Sequence, residues 1–237
     1  MKKKITVKDK QELEKIIKKE IKEHGFDCDL NHIDISGITD LSHLFYHSSF
    51  EGNISQWDTS NVENMRYLFC RSRFNSDITH WNTSKVHDMD SMFTYSCFNK
   101  DISQWNTSNV INMNNMFYSS KFNGDISGWD TSNVTNMCGA FAHSSFNKDI
   151  SAWNVLNVQY MVGTFDSSQF TGDISQWNCI NVSEIDYIFF NCEDYAPYWA
   201  QIEDVNERKL AIEAYKQKNL LEHLVHHNIF SKKALKI

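Results

Sequence analysis

Phe122-Asn-Gly-Asp-Ile-Ser-Gly-Trp129-Asp-Thr-Ser-Asn-Val134-Thr-Asn-Met137 is the stretch whose reading decides the fold. Its first half alternates: Ile126 is flanked by polar Asp125 and Ser127, the pattern of a short strand with one buried face. Asp130-Thr-Ser-Asn133 follows, rich in side chains that bond their own backbone and start helices. Val134, Met137 and Phe141 then stand at i, i+3 and i+7, one face of a two-turn helix, and His143-Ser-Ser145 closes the unit.

Outward from this stretch the same pattern returns every 24 residues. Phe50, Phe74, Phe98, Phe122, Phe146 and Phe170 open successive units, and Trp57, Trp81, Trp105, Trp129, Trp153 and Trp177 follow seven positions later. Ile, Val, Met and a second Phe hold fixed places between them, with Ile185 for Met in the last unit. A degenerate unit with Phe26, Leu30, Ile33, Ile38, Leu41 and Phe45 precedes them, so seven units span 26–193. Neither a lone strand nor a two-turn helix can bury its apolar side, but stacked units can. The expected fold is therefore an α/β class, leucine-rich-repeat-like right-handed solenoid of strand–short-helix coils. Its core is a set of residue columns, each fully buried large side chain contributing roughly 1.5–3 kcal/mol. The Asp or Asn after each Trp (58, 82, 106, 130, 154, 178) is expected to bond amides of neighbouring coils.

The repeat closely resembles that of the BspA-like leucine-rich-repeat proteins of bacteria and mycoplasmas, strongly over 26–193. The Lys/Glu-rich leader and Glu207-Arg-Lys-Leu-Ala-Ile-Glu-Ala-Tyr215 resemble flanks found with such repeats. The resemblance implies a binding protein, many members being surface adhesins. This chain departs from those members, since no apolar stretch of about 7–15 residues follows Met1-Lys-Lys-Lys. A cytoplasmic location is the expectation.

Three parts follow: a capping helix in 1–25, the repeats at 26–193 and a helical cap at 194–237. Asp9 to His24 reads as a helix with Leu13, Ile16, Ile17 and Ile21 on one side, ended by Gly25. At the other end Tyr195, Pro197, Tyr198 and Trp199 are expected to cover the last coil, with helices near 204–216 and 219–228.

The chain of 237 residues carries a net charge of −7, unevenly spread. Residues 1–25 hold nine lysines against five acids, the repeats seven basic against nineteen acidic side chains, and 194–237 seven against six. So negative a body is a poor partner for nucleic acid, whose phosphates need basic stripes. No apolar run reaches the roughly 20 residues of a membrane-spanning helix.

Part of the acidity is ordered. Asp77, Asp101, Asp125, Asp149 and Asp173 hold the fourth position of five successive units, Asn53 the one before, with Ser or Thr two residues on. Registered strands would bring these carboxylates about 4.8 Å apart on one outward face. Charges that close repel by roughly 1–4 kcal/mol per pair before hydrogen bonds are counted. Either each Asp bonds a nearby hydroxyl or amide and merely fixes the coil, or the row recruits a basic protein surface. Neighbouring positions vary, with Lys100, Lys148, His80, Gln104 and Gln176 among them, and variable side chains on a fixed frame suit a binding face.

The expected function is thus non-catalytic protein–protein binding through the acidic strand face, the ten residues just named making the contacts. A nucleic-acid mimic that blocks a nucleic-acid-binding enzyme is one alternative, and an adhesin exported by an unusual route is another. No enzyme motif is present, and repetition of Asp and Ser argues against the unique, asymmetric cluster that catalysis needs. No cofactor or metal is expected. The six cysteines lack paired spacing, and His223-Leu-Val-His226-His227 has no fixed third ligand type beside it.

Overall fold

The computed structural model describes residues 3–192 and, beyond them, 200, 202, 204, 206, 207 and 209–214. Strand β1 (Ile5–Thr6) leads into helix α1 (Lys10–His24), and strand β2 (Ile33–Asp34) pairs with β1 in parallel, Ile5 opposite Ile33. Asp9 starts α1 by accepting from the Glu12 amide at 2.8 Å, and Gly25 ends it at φ 89°, its own amide reaching Ile21. Leu13 and Ile17 are buried against the repeats, with Ile16 and Ile21 packed beside them. Lys10 Nζ ties the helix down, 3.0 Å from Asp40 Oδ2 and 2.7 Å from Ser42 Oγ.

From Asp40 onward each unit is bonded in parallel to the next at an offset of 24 residues. Single bridges join Asp40 to Asn64, then Asp88, Asn112, Asn136, Tyr160 and Glu184 in series. The residue columns fill the interior. Phe69, Phe93, Phe117, Phe141, Phe165 and Phe189 stack at 5.2–5.7 Å between centroids. The tryptophans lie nearly parallel, 6.3–6.4 Å apart along most of their column. Each indole also needs an acceptor once buried, and the carbonyl of the preceding unit supplies it: Trp129 Nε1 donates to Ile102 O at 3.1 Å, Trp153 to Ile126 O at 3.1 Å. Phe26, placed in the first unit by the sequence pattern, is instead 53% exposed, while Cys28, two residues on, is buried.

Both expected elements of the unit take a different form. Residues 134–141 do not make an α-helix. The amides of Met137, Gly139, Phe141 and His143 donate across to Tyr160, Val162, Thr164 and Asp166. Those between them, Ala140, Ala142 and Ser144, close turns on the carbonyl three residues back. A helix would spend every amide four residues back. Positive φ at Gly139 (58°) and His143 (55°) also interrupts any right-handed run. Around Ile126 no ladder forms, because the chain turns at once: Ser127 bonds Asp125 and the Trp129 amide bonds Ile126 O. The parallel bridge lies ten residues later, at Asn136.

The described part of the C-terminal segment touches the same core, with Ile212 buried and Ala200 and Ala211 packed partly against it. Asn206, Glu207 and 209–214 are helical. The expected covering residues Tyr195, Pro197, Tyr198 and Trp199, the helix near 219–228 and the three clustered histidines lie outside the described residues.

Candidate functional sites on two faces

The acidic row is exposed, as are Lys100, Lys148, His80, Gln104 and Gln176. Its chemistry is local. Oδ1 of Asp77, Asp101, Asp125, Asp149 and Asp173 accepts the amide two residues on, at 2.9 Å in the first four and 2.7 Å in the last. Each is an Asx turn that bends the chain toward its Trp. Those amides, with the hydroxyls of Thr79, Ser127 and Ser151, hold the carboxyls of Asp77, Asp125 and Asp149 below the usual carboxylate range. Lys100 reinforces the shift at Asp77 and Lys148 that at Asp125, so the two lysines partly offset the row. Asp125 opposes the shift at Asp149, the expected like-charge repulsion.

The residue after Trp works the same way in five of the six units, while Asn178 Oδ1 in the last is buried without a hydrogen bond. Asp58, Asn82, Asn106, Asp130 and Asn154 accept the amide two residues on within their own unit, at 2.9–3.1 Å, and do not link neighbouring units. The ladder between units lies elsewhere. Asn75, Asn99, Asn123 and Asn147, directly after the opening Phe, each accept the amide of the equivalent residue one unit on, at 2.8–2.9 Å. Thr59, Thr83, Thr107 and Thr131 donate across to the next unit's carbonyl.

A second face was not legible as a site from the repeat. It is built on the turns around the second Phe of each unit, where the two residues flanking it at −2 and +2 carry positive φ, as at Tyr67 (56°) and Arg71 (55°). Turn geometry there points side chains outward, and these side chains do not repeat. His43 stacks on Tyr67 at 4.9 Å, and Tyr46 meets the same ring edge-on at 6.2 Å. Arg71 lies over Tyr95 at 4.6 Å, and Tyr95 contacts Tyr118 at 5.4 Å. Tyr118 in turn meets His143 at 5.3 Å, so rings run across five successive units. Between them is a groove of about 310 Å³ whose polar lining includes Ser91, Thr94 and Asn115. Arg66 beside it is committed, bonded to the buried Asp90 at 2.9 Å. No carboxylate among the described residues lies within ion-pairing distance of Arg71.

The sequence did hold a signal for this face: three of the four arginines, Arg66, Arg71 and Arg73, fall in one unit of an acidic body. Tyr46, Tyr67, Tyr95 and Tyr118 all fall within two residues of the fixed Phe, at variable places.

No disulfide forms among the described residues, and burial pushes Cys70, which lines the groove, up to about 11, away from thiolate formation. Among the described residues, Glu20, Glu23 and His24 bring ligand atoms within 4.8 Å of one another. They are neighbours on successive turns of α1, where Glu20 and His24 form an ordinary i,i+4 pair at 3.8 Å, and Glu20 also faces His32 at 3.6 Å. No helix among the described residues is long and apolar enough to cross a membrane.

The chain is similar to no curated protein and no solved structure at a significant level. A repeat family does match it twice, over residues 12–121 and 94–202, which together take in most of helix α1 and all the stacked units. The chain belongs to that family, described as Mycoplasma protein of unknown function, DUF285.

Proposed function

We propose that the protein is a non-catalytic binding scaffold that engages a basic protein surface through its acidic row. The observation that carries this reading is the repeated carboxylate clamp: five exposed Asp side chains in successive units, each with Oδ1 fixed by the amide two residues on. A side chain already held in place loses little rotamer freedom on binding, and a row of such anions speeds encounter with a cationic surface. Lys100, Lys148, His80, Gln104 and Gln176 border the row and set which surface fits. The frame we propose is a right-handed α/β solenoid of the BspA-like kind, with α1 and the segment after 193 as its caps. The 24-residue parallel register and the residue columns support it.

The test is capture of binding proteins at about 0.1 M and 0.5 M salt, where screening separates exposed charge pairs from apolar contacts. It is run beside a variant with Asp101, Asp125 and Asp149 changed to Asn. A partner lost at high salt and in the variant supports the acidic face. A partner retained by the variant overturns it. Competition of that partner with DNA or RNA would identify the protein as a nucleic-acid mimic, and detection on intact cells would identify it as an adhesin.

A further inference from the structure

Tyr46 and Tyr95 are each 45% exposed, whereas the Phe and Trp columns of the repeats are buried. The two tyrosines flank the groove together with Tyr67 and Tyr118, and Arg71 is the cation that lines it. Tyr with Ser, Thr and Asn, anchored by Arg, is the composition of protein-recognition surfaces: rigid amphipathic rings supply area at low entropic cost, and small polar groups supply adaptable hydrogen bonds. The backbone beneath is rigid for the same purpose. Amides of Tyr67, Phe69 and Arg71 are bonded to Asp90, Met92 and Thr94 of the next unit.

The two arginines differ in a way that selects the ligand's charge. Arg66 is neutralised by Asp90, which also accepts from Ser91 Oγ and Asn114 Nδ2 and is only 4% exposed. Arg71 has no such partner among the described residues. It lies over the Tyr95 ring, and a guanidinium so placed can still bond a carboxylate through its N–H fork. A cation without an ion pair, seated at a groove between rings, suits an isolated carboxylate. It does not suit a polyphosphate chain, whose dense charge the nineteen acids of the repeats repel.

We propose that this groove is a second recognition site, opposite in sign to the acidic row, for a partner-protein segment carrying an acidic residue next to an aromatic one. The carboxylate pairs with Arg71, and the aromatic side chain lies against Tyr46 and Tyr95. The site stands independently of the acidic row.

The experiment is selection of a random heptapeptide display library on the full chain, on Arg71→Ala, on Tyr95→Ser and on the Asp101, Asp125, Asp149→Asn variant, followed by calorimetric titration of the best synthetic peptide. Matching thermal midpoints for all four chains guard against unfolding. The expected result is an Asp/Glu–aromatic motif enriched on the full chain and on the triple Asp variant. Affinity for that peptide should fall at least tenfold in Arg71→Ala and in Tyr95→Ser, and at least tenfold when its acidic residue is changed to the amide. Absence of such a motif, its persistence on Arg71→Ala, or tighter binding of adenosine monophosphate than of the peptide would overturn the proposal. Selection of basic peptides alone, lost in the triple Asp variant, would do so too, while leaving the acidic row standing.

Discussion

The acidic row and the tyrosine groove sit on one frame, and they differ in how they use it. On the row the same residue recurs in unit after unit and its first bond is to its own chain, Asp125 Oδ1 to the Ser127 amide. On the groove no residue is kept from unit to unit: the place held by Arg71 is held by Tyr95, Ser119 and His143 in the units that follow. Repetition marks a side chain that every unit needs in order to turn or stack. Departure from repetition, on a backbone that stays the same, marks a place released from that duty. Arg66 and Arg71 show the distinction within five residues, one tied to a buried carboxylate and one resting on a ring.

Four measurements bear on that contrast. The largest effect belongs to the most repeated group of all. Trp129→Ala removes a buried ring stacked 6.4 Å from Trp105 and 6.3 Å from Trp153, together with the bond from Nε1 to Ile102 O. Loss of about 3–5 kcal/mol is expected in chemical denaturation; a loss under about 1 kcal/mol would show that the column is not the core.

The arginine pair comes next. Arg66→Ala leaves the buried Asp90 without its cation and should cost roughly 1–3 kcal/mol by urea unfolding, because the remaining donors Ser91 and Asn114 are neutral. Arg71→Ala should stay within about 0.5 kcal/mol of the parent, as for surface positions away from such features. Equal losses at the two sites would erase the difference drawn between them.

Smaller again is the ladder between units. Asn123 accepts the Asn147 amide at 2.8 Å, so Asn123→Ala should cost about 1 kcal/mol in a central unit. Asp130→Ala, which removes only a bond within its own unit, should cost less. The reverse order would return the ladder to the residue after Trp.

The smallest expected effect is a pH dependence. The Ser36 hydroxyl and amide, then Lys4, lower the Asp34 carboxyl to about 2, and the clamps lower Asp77, Asp125 and Asp149 in the same direction. A carboxyl with a folded pKa below its unfolded one adds stability above the unfolded value, about 3.9, and that stability is lost as pH falls through the folded value. The urea midpoint should therefore decline between about pH 4 and pH 2, and more gently in Asp34→Asn. A slope unchanged by that substitution would show that other carboxyls set the acid response.

Much of the interior was readable in the one-dimensional pattern. Trp129, Ile126, Val134, Met137 and Phe141 are buried because a 24-residue repeat of large apolar residues has only one way to hide them, against the same residues in the next unit. The hydrogen-bonding form of the unit was not. Val134, Met137 and Phe141 satisfy helical spacing, yet their segment is a run of turns, since side-chain period records which residues face inward and not where the amides go. Phe26 kept the spacing of the columns but sits at the end of the repeats, where it is exposed.

Residue order alone therefore specifies the repeat, the composition of the core and the acidity of the body, because each depends on residue type and spacing. The partners of the polar groups depend on distances in three dimensions. Whether Asp130 bonds its own unit or the next, whether an arginine meets Asp90 or lies free on Tyr95, and which rings border one groove are set only when units 24 residues apart come into contact.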